Sequence, residues 1–142
     1  MKVYIDTSVL VAYYCPESLS KKAEQIMKKN PQPAISALTE VELFSAISRK
    51  VQEGTLERTD GDRIIAKFFD HMDGGIYEKF FIKTHHYRLA RDWIGQFKLP
   101  LRSLDAIHLA VASLEDCKFV TADKNLTKSA KALGVDVLFL KI

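Results

Sequence analysis

Short apolar runs alternate along this chain with longer stretches whose apolar positions recur every three or four residues. The first pattern predicts buried strands, the second amphipathic helices. Lys2 to Asp6, centred on Val3-Tyr4-Ile5, predicts the first strand, with a helix beginning just after Asp6. Ser18 or Ser20 can cap a helix through Lys21 to Lys29, with Ala23, Ile26 and Met27 on one face, and Asn30-Pro31-Gln32-Pro33 stops it. Ala34-Ile35-Ser36 predicts the second strand, followed by a helix from about Thr39 to Gly54. Thr59-Asp60-Gly61-Asp62 opens another, with Ile64, Ile65, Phe68, Phe69 and Met72 facing inward and Gly74-Gly75 closing it. Tyr77 to Lys83 predicts the third strand. Thr84 caps a helix through Ile94, and Phe97 to Arg102 is an extended return around Pro100. Ser103 caps a helix from Leu104 to Glu115 that is apolar almost all round and so buried. Lys118 to Thr121, a helix from Lys124 to Leu133 closed by Gly134, and a strand from Val135 to Leu140 complete the chain.

Strands alternating with helices predict an α/β layer fold with a mainly parallel sheet and helices on both faces. A length of 142 residues suits one domain, residues 1–142. There is no internal repeat, low-complexity tract or Gly-rich phosphate loop of the dinucleotide or Walker A kind. No apolar stretch is long enough to span a bilayer, and the N-terminus lacks the apolar core of a signal peptide, so a cytoplasmic location with no membrane association is expected. Cys15 and Cys117 form neither a disulfide framework nor a metal-ligand spacing; they read as ordinary thiols, and zinc is not expected.

Four acids change the picture. Asp6 ends the first strand, Glu42 lies in the first turn of the helix after the second, Asp105 in the first turn of the helix leading into the fourth, and Asp123 just past the fourth. In a parallel sheet these positions share the C-terminal edge, where open α/β sheets bind ligands. Each acid taken singly has a plainer explanation. First-turn acids are favoured by the helix dipole by roughly 0.3–1 kcal/mol. Asp123 suits an N-cap, and Glu42 could close a capping box with Thr39. Asp105 is the odd one, because it introduces a helix otherwise almost wholly apolar, where a bare carboxylate is costly without a partner. Four carboxylates in one cleft repel one another unless a divalent cation lies among them. Whether they share a crevice depends on strand order, which periodicity does not give.

Charge adds little. The net charge of +3 arises from 21 basic and 18 acidic residues; without the four acids, 21 basic residues stand against 14. A basic surface around an acidic cleft suits a polyanion, but a balance this small also suits any mildly basic protein. Lys21, Lys22, Lys28 and Lys29 form a basic helix, and Arg49, Lys50, Arg88, Arg91, Lys124, Lys128 and Lys131 are dispersed; a solvated face accounts for most of them.

Val3-Tyr4-Ile5-Asp6-Thr7-Ser8-Val9-Leu10, Ile35-Ser36-Ala37-Leu38-Thr39-Glu40-Val41-Glu42-Leu43, Leu104-Asp105-Ala106-Ile107-His108-Leu109-Ala110-Val111-Ala112 and Val120-Thr121-Ala122-Asp123 occur in that order over nearly the whole chain. Together they resemble the PIN-domain ribonucleases, specifically the VapC-type toxins. Asp60 to Tyr77 carries no matching signature. The resemblance implies a three-layer α/β/α sandwich with a parallel five-stranded sheet in the order 3-2-1-4-5, which brings the acids into one crevice. It implies endonucleolytic cleavage of RNA with Mg²⁺ or Mn²⁺, and Asp6, Glu42, Asp105 and Asp123 as an acidic quartet of metal-binding and catalytic residues. It also implies a homodimer and a VapB-type antitoxin as partner. Glu40 competes with Glu42, since residues two apart on a helix cannot face the same way; the motif favours Glu42.

Around the quartet, Thr7 and Thr121 are candidates to orient a carboxylate or water, and Ser8 reads first as a helix cap. Asn125 could add a neutral oxygen near a metal, but reads first as a helix-turn residue. His108 shares a face with Asp105 one turn earlier and reads as a buried, hydrogen-bonded histidine ahead of a catalytic one. His85 and His86 are expected at the same sheet edge as the acids, on the outer strand. A catalytically silent PIN-like module that binds RNA or protein is the alternative function, and the intact quartet argues against it. A haloacid-type phosphatase needs a second aspartate where Ser8 stands, and a receiver domain needs a phospho-acceptor where Lys83-Thr84 stands.

Overall fold

A computed structural model describes residues 1–142. The elements are β1 (Val3–Ile5), α1 (Thr7–Tyr14), α2 (Ser20–Lys29), β2 (Ala34–Ser36), α3 (Ala37–Gln52), α4 (Arg58–Asp73), β3 (Glu78–Phe80), α5 (Thr84–Ile94), α6 (Ser103–Leu114), β4 (Lys118–Thr121), α7 (Lys124–Ala132) and β5 (Val137–Phe139). All strand pairings are parallel, and the order is β3-β2-β1-β4-β5. Tyr4 is in register with Ala34 on one side and Phe119 on the other.

The two-residue strand period divides the interior into two layers. Val3, Ile5, Ile35 and Val120 point to one face and pack with α1–α4 through residues such as Leu10, Leu43, Ile47 and Phe68. Tyr4, Ala34 and Phe119 point to the other and pack with α6 and α7 through Leu109, Val111, Leu126 and Ala130. Helix α5 covers α6 through Ala90, Ala106 and Ala110. The sheet therefore lies between two helical layers, with β1 and β2 buried on both faces and the outer strands β3 and β5 only partly covered. No helix is long and apolar enough to cross a membrane.

The second and fourth strands match the sequence reading; the outer two are shorter than expected, Glu78–Phe80 against Tyr77–Lys83 and Val137–Phe139 against Val135–Leu140. Edge strands have one pairing partner, and the ladder stops where that partner does. Phe69 was expected to face inward but is 46% exposed; it packs on Phe44 at the rim, while Phe68 fills the core. Gly61 explains how α4 approaches α3: a Cβ there would lie 3.0 Å from Val51 Cγ2. Gly134 closes α7 with φ +75°, as expected of a residue after a helix end.

Several caps differ from expectation. Helix α3 begins earlier than Thr39 and is capped by Ser36, whose side chain accepts from the Thr39 amide while the Thr39 hydroxyl accepts in return from the Ser36 amide. Thr39 is thus paired backward, and Glu42 is free of any capping role. Ser103 and Thr84 are first helical residues with no side-chain cap, and Ser20 instead donates to the Ala12 carbonyl at 2.7 Å. His86 Nδ1 accepts from the Lys83 amide at 2.9 Å and so serves the start of α5.

His86 also corrects the placement of the histidine pair. Its Nε2 lies 3.8 Å from Glu115 at the C-terminal end of α6, so α5 begins at the sheet edge opposite the acids. Two helices, α5 and α6, fill the crossover from β3 to β4. Helix α6 returns to the N-terminal edge to enter β4, and α5 packs antiparallel to it, with His86 near Glu115 and Ala90 on Ala106 and Ala110. The rule that a helix starts at the edge where its strand ends holds for α1 and α3, which follow β1 and β2 directly, and fails for α5.

Candidate functional site

The side chain of Asp6 continues the Tyr4 face of β1 beyond the last strand residue, and its amide still pairs with the Val120 carbonyl at 2.9 Å. Asp6 is only 8% exposed. Thr121, at the end of neighbouring β4, donates from Oγ1 to Asp6 Oδ2 at 2.7 Å, and Ser8 donates to the same oxygen at 3.3 Å. Burial pushes the Asp6 carboxyl above its usual range, against the opposing pull of the Thr121 hydrogen bond. The same Thr121 oxygen accepts from the Asp123 amide at 3.0 Å, so one hydroxyl fixes both the inner acid and the backbone of the outer one.

Glu42 enters from α3. Thr7 donates to Glu42 Oε1 at 2.7 Å, and His108 Nε2 hydrogen-bonds the same oxygen. Burial works to raise the Glu42 pKa, but the His108 hydrogen bond and charge and the Thr7 hydroxyl outweigh it, and the net shift is downward. Glu42 is therefore ionised at neutral pH. Glu40 does not compete: it turns away to an ion pair with Lys79 at 2.6 Å.

Asp105, in the first turn of α6, is half-buried and accepts no side-chain hydrogen bond. Its carboxyl is raised by burial and then by the neighbouring charges of Asp6 and Asp123, partly offset by His108 and Arg102. The Asp6 and Asp123 contributions are those of like charges gathered at one sheet edge. Asp123 is exposed and caps α7, Oδ1 accepting from the Leu126 amide at 3.0 Å. Asp105 and Asp123 share a cavity of about 240 Å³ whose wall includes Pro100, Arg102 and Asn125. Asn125 sits in the first turn of α7, as expected, and lines the cavity as well.

No three His, Asp or Glu side chains stand, as placed, within reach of a single ion. Their donor chemistry nonetheless fits one kind of cation. The available atoms are carboxylate oxygens, both thiols lie buried in other parts of the core, and both His108 nitrogens are engaged with protein partners. Such a set suits a hard cation that keeps several waters, and the part of the Asp105 elevation that comes from the charges of Asp6 and Asp123 is what a cation would relieve.

The His108 link is the part sequence reasoning did not anticipate. His108 was expected to be buried and hydrogen-bonded, and it is, at 1% exposure. That its partner is Glu42, 66 positions away, has no local signature. Tyr4, read only as a core strand residue, completes the network with Oη 2.7 Å from His108 Nδ1 and 2.7 Å from Ser36 Oγ.

A family model described as "PIN domain" matches residues 3–132. Ribonuclease VapC3 of Pyrobaculum aerophilum is 23% identical over 137 residues, covering 94% of this chain and 98% of that protein. The structure resembles VapBC2 from Rickettsia felis, solved bound to a promoter DNA fragment, with TM-score 0.72, 17% identity, and coverage of 99% of this chain and 100% of that one. It also resembles Mycobacterium tuberculosis VapC20, described as a toxin that cleaves the sarcin-ricin loop, with TM-score 0.70, 14% identity, and coverage of 99% and 98%. At such identities the structural likeness speaks for the fold, and the family match spans nearly the entire chain: this protein belongs to the PIN domain family.

Proposed function

We propose that the protein is a metal-dependent endoribonuclease, with residues 1–142 acting as one catalytic unit, and that Asp6, Glu42, Asp105 and Asp123 are its active-site acids. The observation that carries the reading is the gathering of Asp6, Asp105 and Asp123 at one sheet edge with no basic side chain hydrogen-bonded to any of the three, so that the charges of Asp6 and Asp123 add to burial in raising Asp105. Such repulsion is hard to rationalise as a contribution to stability and easy to rationalise as a cation site. The likeness to a protein named as a ribonuclease supports RNA as substrate.

Asp6 and Asp105 are the most direct ligands for Mg²⁺ or Mn²⁺ in this reading, with Asp123 and Glu42 binding directly or through water. When bound, such an ion neutralises phosphate charge and lowers the pKa of its water. The residues do the rest. Thr121 and Ser8 turn Asp6 Oδ2 away and hold the carboxylate plane. Glu42, ionised and with Oε2 free of hydrogen bonds, is suited to accept a proton from the attacking water. Arg102, on the cavity wall, can neutralise a phosphate oxygen of an incoming strand.

The similar VapBC structures and a similar toxin–antitoxin complex support a VapB-type antitoxin as partner and a role as the toxin of such a pair; a homodimer in the cytoplasm is the rest of this reading. The test is cleavage of structured RNAs by purified protein with Mn²⁺, with chelator, and with Asp6→Asn. Cleavage that needs metal and Asp6 is the expected result. Cleavage unchanged in chelator rejects the metal, and none under any condition rejects the nuclease in favour of a silent binding module.

A further inference from the structure

We propose that His108 is a positioning residue for Glu42, and that Tyr4 holds it in that role. The inference rests on the nuclease reading for its kinetic consequence, but its geometry stands alone. A glutamate has three rotatable side-chain bonds, and confining them opposes conformational entropy. On Glu42 two donors from different elements meet at one oxygen: Thr7 Oγ1 from α1 and His108 Nε2 from α6. Oε2 is left as the oxygen directed to other uses.

The proton between His108 and Glu42 belongs to Nε2, since an ionised carboxylate only accepts. The ring has no freedom to flip. It is buried, tilted against the Tyr4 ring at 5.7 Å between centroids, and its Nδ1 is engaged by Tyr4 Oη. Tyr4 is itself fully buried on the central strand and tied to Ser36, which caps the helix that carries Glu42. The chain of contacts therefore closes on itself: β1 holds the imidazole, the imidazole holds Glu42, and Ser36 joins Tyr4 to the start of Glu42's own helix. A histidine kept only to fill the core has no need of a specific acid on its far nitrogen. With both nitrogens committed, His108 contributes orientation rather than metal ligation.

Two measurements decide the matter. In metal-free protein, imidazole ¹⁵N–¹H spectra are expected to show a slowly exchanging Nε2-bound proton on His108, shifted far downfield. That signal moves toward an ordinary imidazole position in Glu42→Ala and shifts in Tyr4→Phe. A His108 ring averaging between tautomers overturns the proposal, whatever the protein does to RNA. In RNA cleavage, His108→Leu is expected to lower kcat by about 10–100-fold, the range typical of outer-sphere changes, with little effect on KM. His108→Gln, which returns an N–H donor near the Nε2 position, recovers most of the loss. In a Glu42→Ala background, His108→Leu costs nothing further. Multiplicative losses, or Leu and Gln variants equally impaired at normal melting temperature, overturn the proposal. Should His108→Leu fail to fold, the Gln variant and Tyr4→Phe carry the same decision. A wild-type protein that cleaves no RNA sinks the nuclease reading, while the spectra still judge the clamp.

Discussion

Asp6 and Glu42, on the inner side of the cleft, accept hydrogen bonds from four side chains, Thr121, Ser8, Thr7 and His108. Asp105 and Asp123, on the outer side, accept none from any side chain; Asp105 stands alone and Asp123 serves its own helix. The inner pair is oriented by the core itself, because its donors come from β4, α1 and α6, which are locked by packing. The outer pair has no such support: Asp105 is half-buried beside the charges of Asp6 and Asp123, and Asp123 is exposed to solvent. A cleft built this way has one rigid wall prepared in advance and one wall that a cation must organise.

Breaking the rigid wall is expected to have the largest effect. Asp6→Asn removes the most buried carboxylate and is predicted to lower Mn²⁺-dependent RNA cleavage by more than about 100-fold, beyond what outer-sphere changes cost. Isothermal titration with Mn²⁺ is expected to show matching loss of binding; an Asp6→Asn protein that binds Mn²⁺ like wild type contradicts the assignment.

Asp105→Asn separates the walls by sign. It is predicted to abolish cleavage nearly as thoroughly, yet to raise the melting temperature of the metal-free protein by about 2–4 °C, since it deletes a charge that its neighbours oppose. Thr121→Val, which strips Asp6 of its short hydrogen bond, is predicted to lower the melting temperature instead. Shifts of the same sign in the two variants would erase the distinction between the walls.

Acidity sharpens the comparison. Asp6 and Asp105 have folded pKa values raised above the ordinary 3.8, so the folded state binds more protons than the unfolded chain in that window. Their contribution to metal-free stability is full below that value and is lost as pH rises through the shifted range. Glu42, lowered from 4.5, has the opposite sign: its contribution is present above 4.5 and lost as pH falls. Mn²⁺ opposes the first effect, so the melting-temperature gain on adding Mn²⁺ is expected to be larger at about pH 7.5 than at about pH 5. Differential scanning fluorimetry at the two pH values checks it.

The smallest effect concerns Asp123. Asp123→Ala is predicted to cost about 1 kcal/mol of stability through the lost cap, and Asp123→Asn much less. Chemical denaturation of the two variants measures the difference, and equal losses would mean that the cap contributes nothing.

Much of this cleft could be read from residue order alone. Val3-Tyr4-Ile5-Asp6 and Phe119-Val120-Thr121 declare their strands by apolar content, and parallel topology then puts the acids on one edge. Thr7 and Thr121 were legible because they adjoin Asp6 and the β4 end. Choosing Glu42 over Glu40 came from the resemblance; the structure adds the physical reason, which is Lys79 on β3 drawing Glu40 away. The His108–Glu42 contact was invisible because it joins two helices through tertiary packing, and no periodicity encodes a partner 66 residues distant. The His86 placement failed because the packing of α5 against α6, a tertiary contact with no local signature, decides where α5 begins.

Asp123 has two employers. One oxygen ends a helix's unpaired amides, and the carboxylate faces the cleft. A descendant of this fold that stopped cutting nucleic acid would remain under pressure to keep a capping side chain there. Its survival in a relative is therefore poor testimony about activity. Asp6, which receives its hydrogen bonds at the cost of near-complete burial, is the better witness.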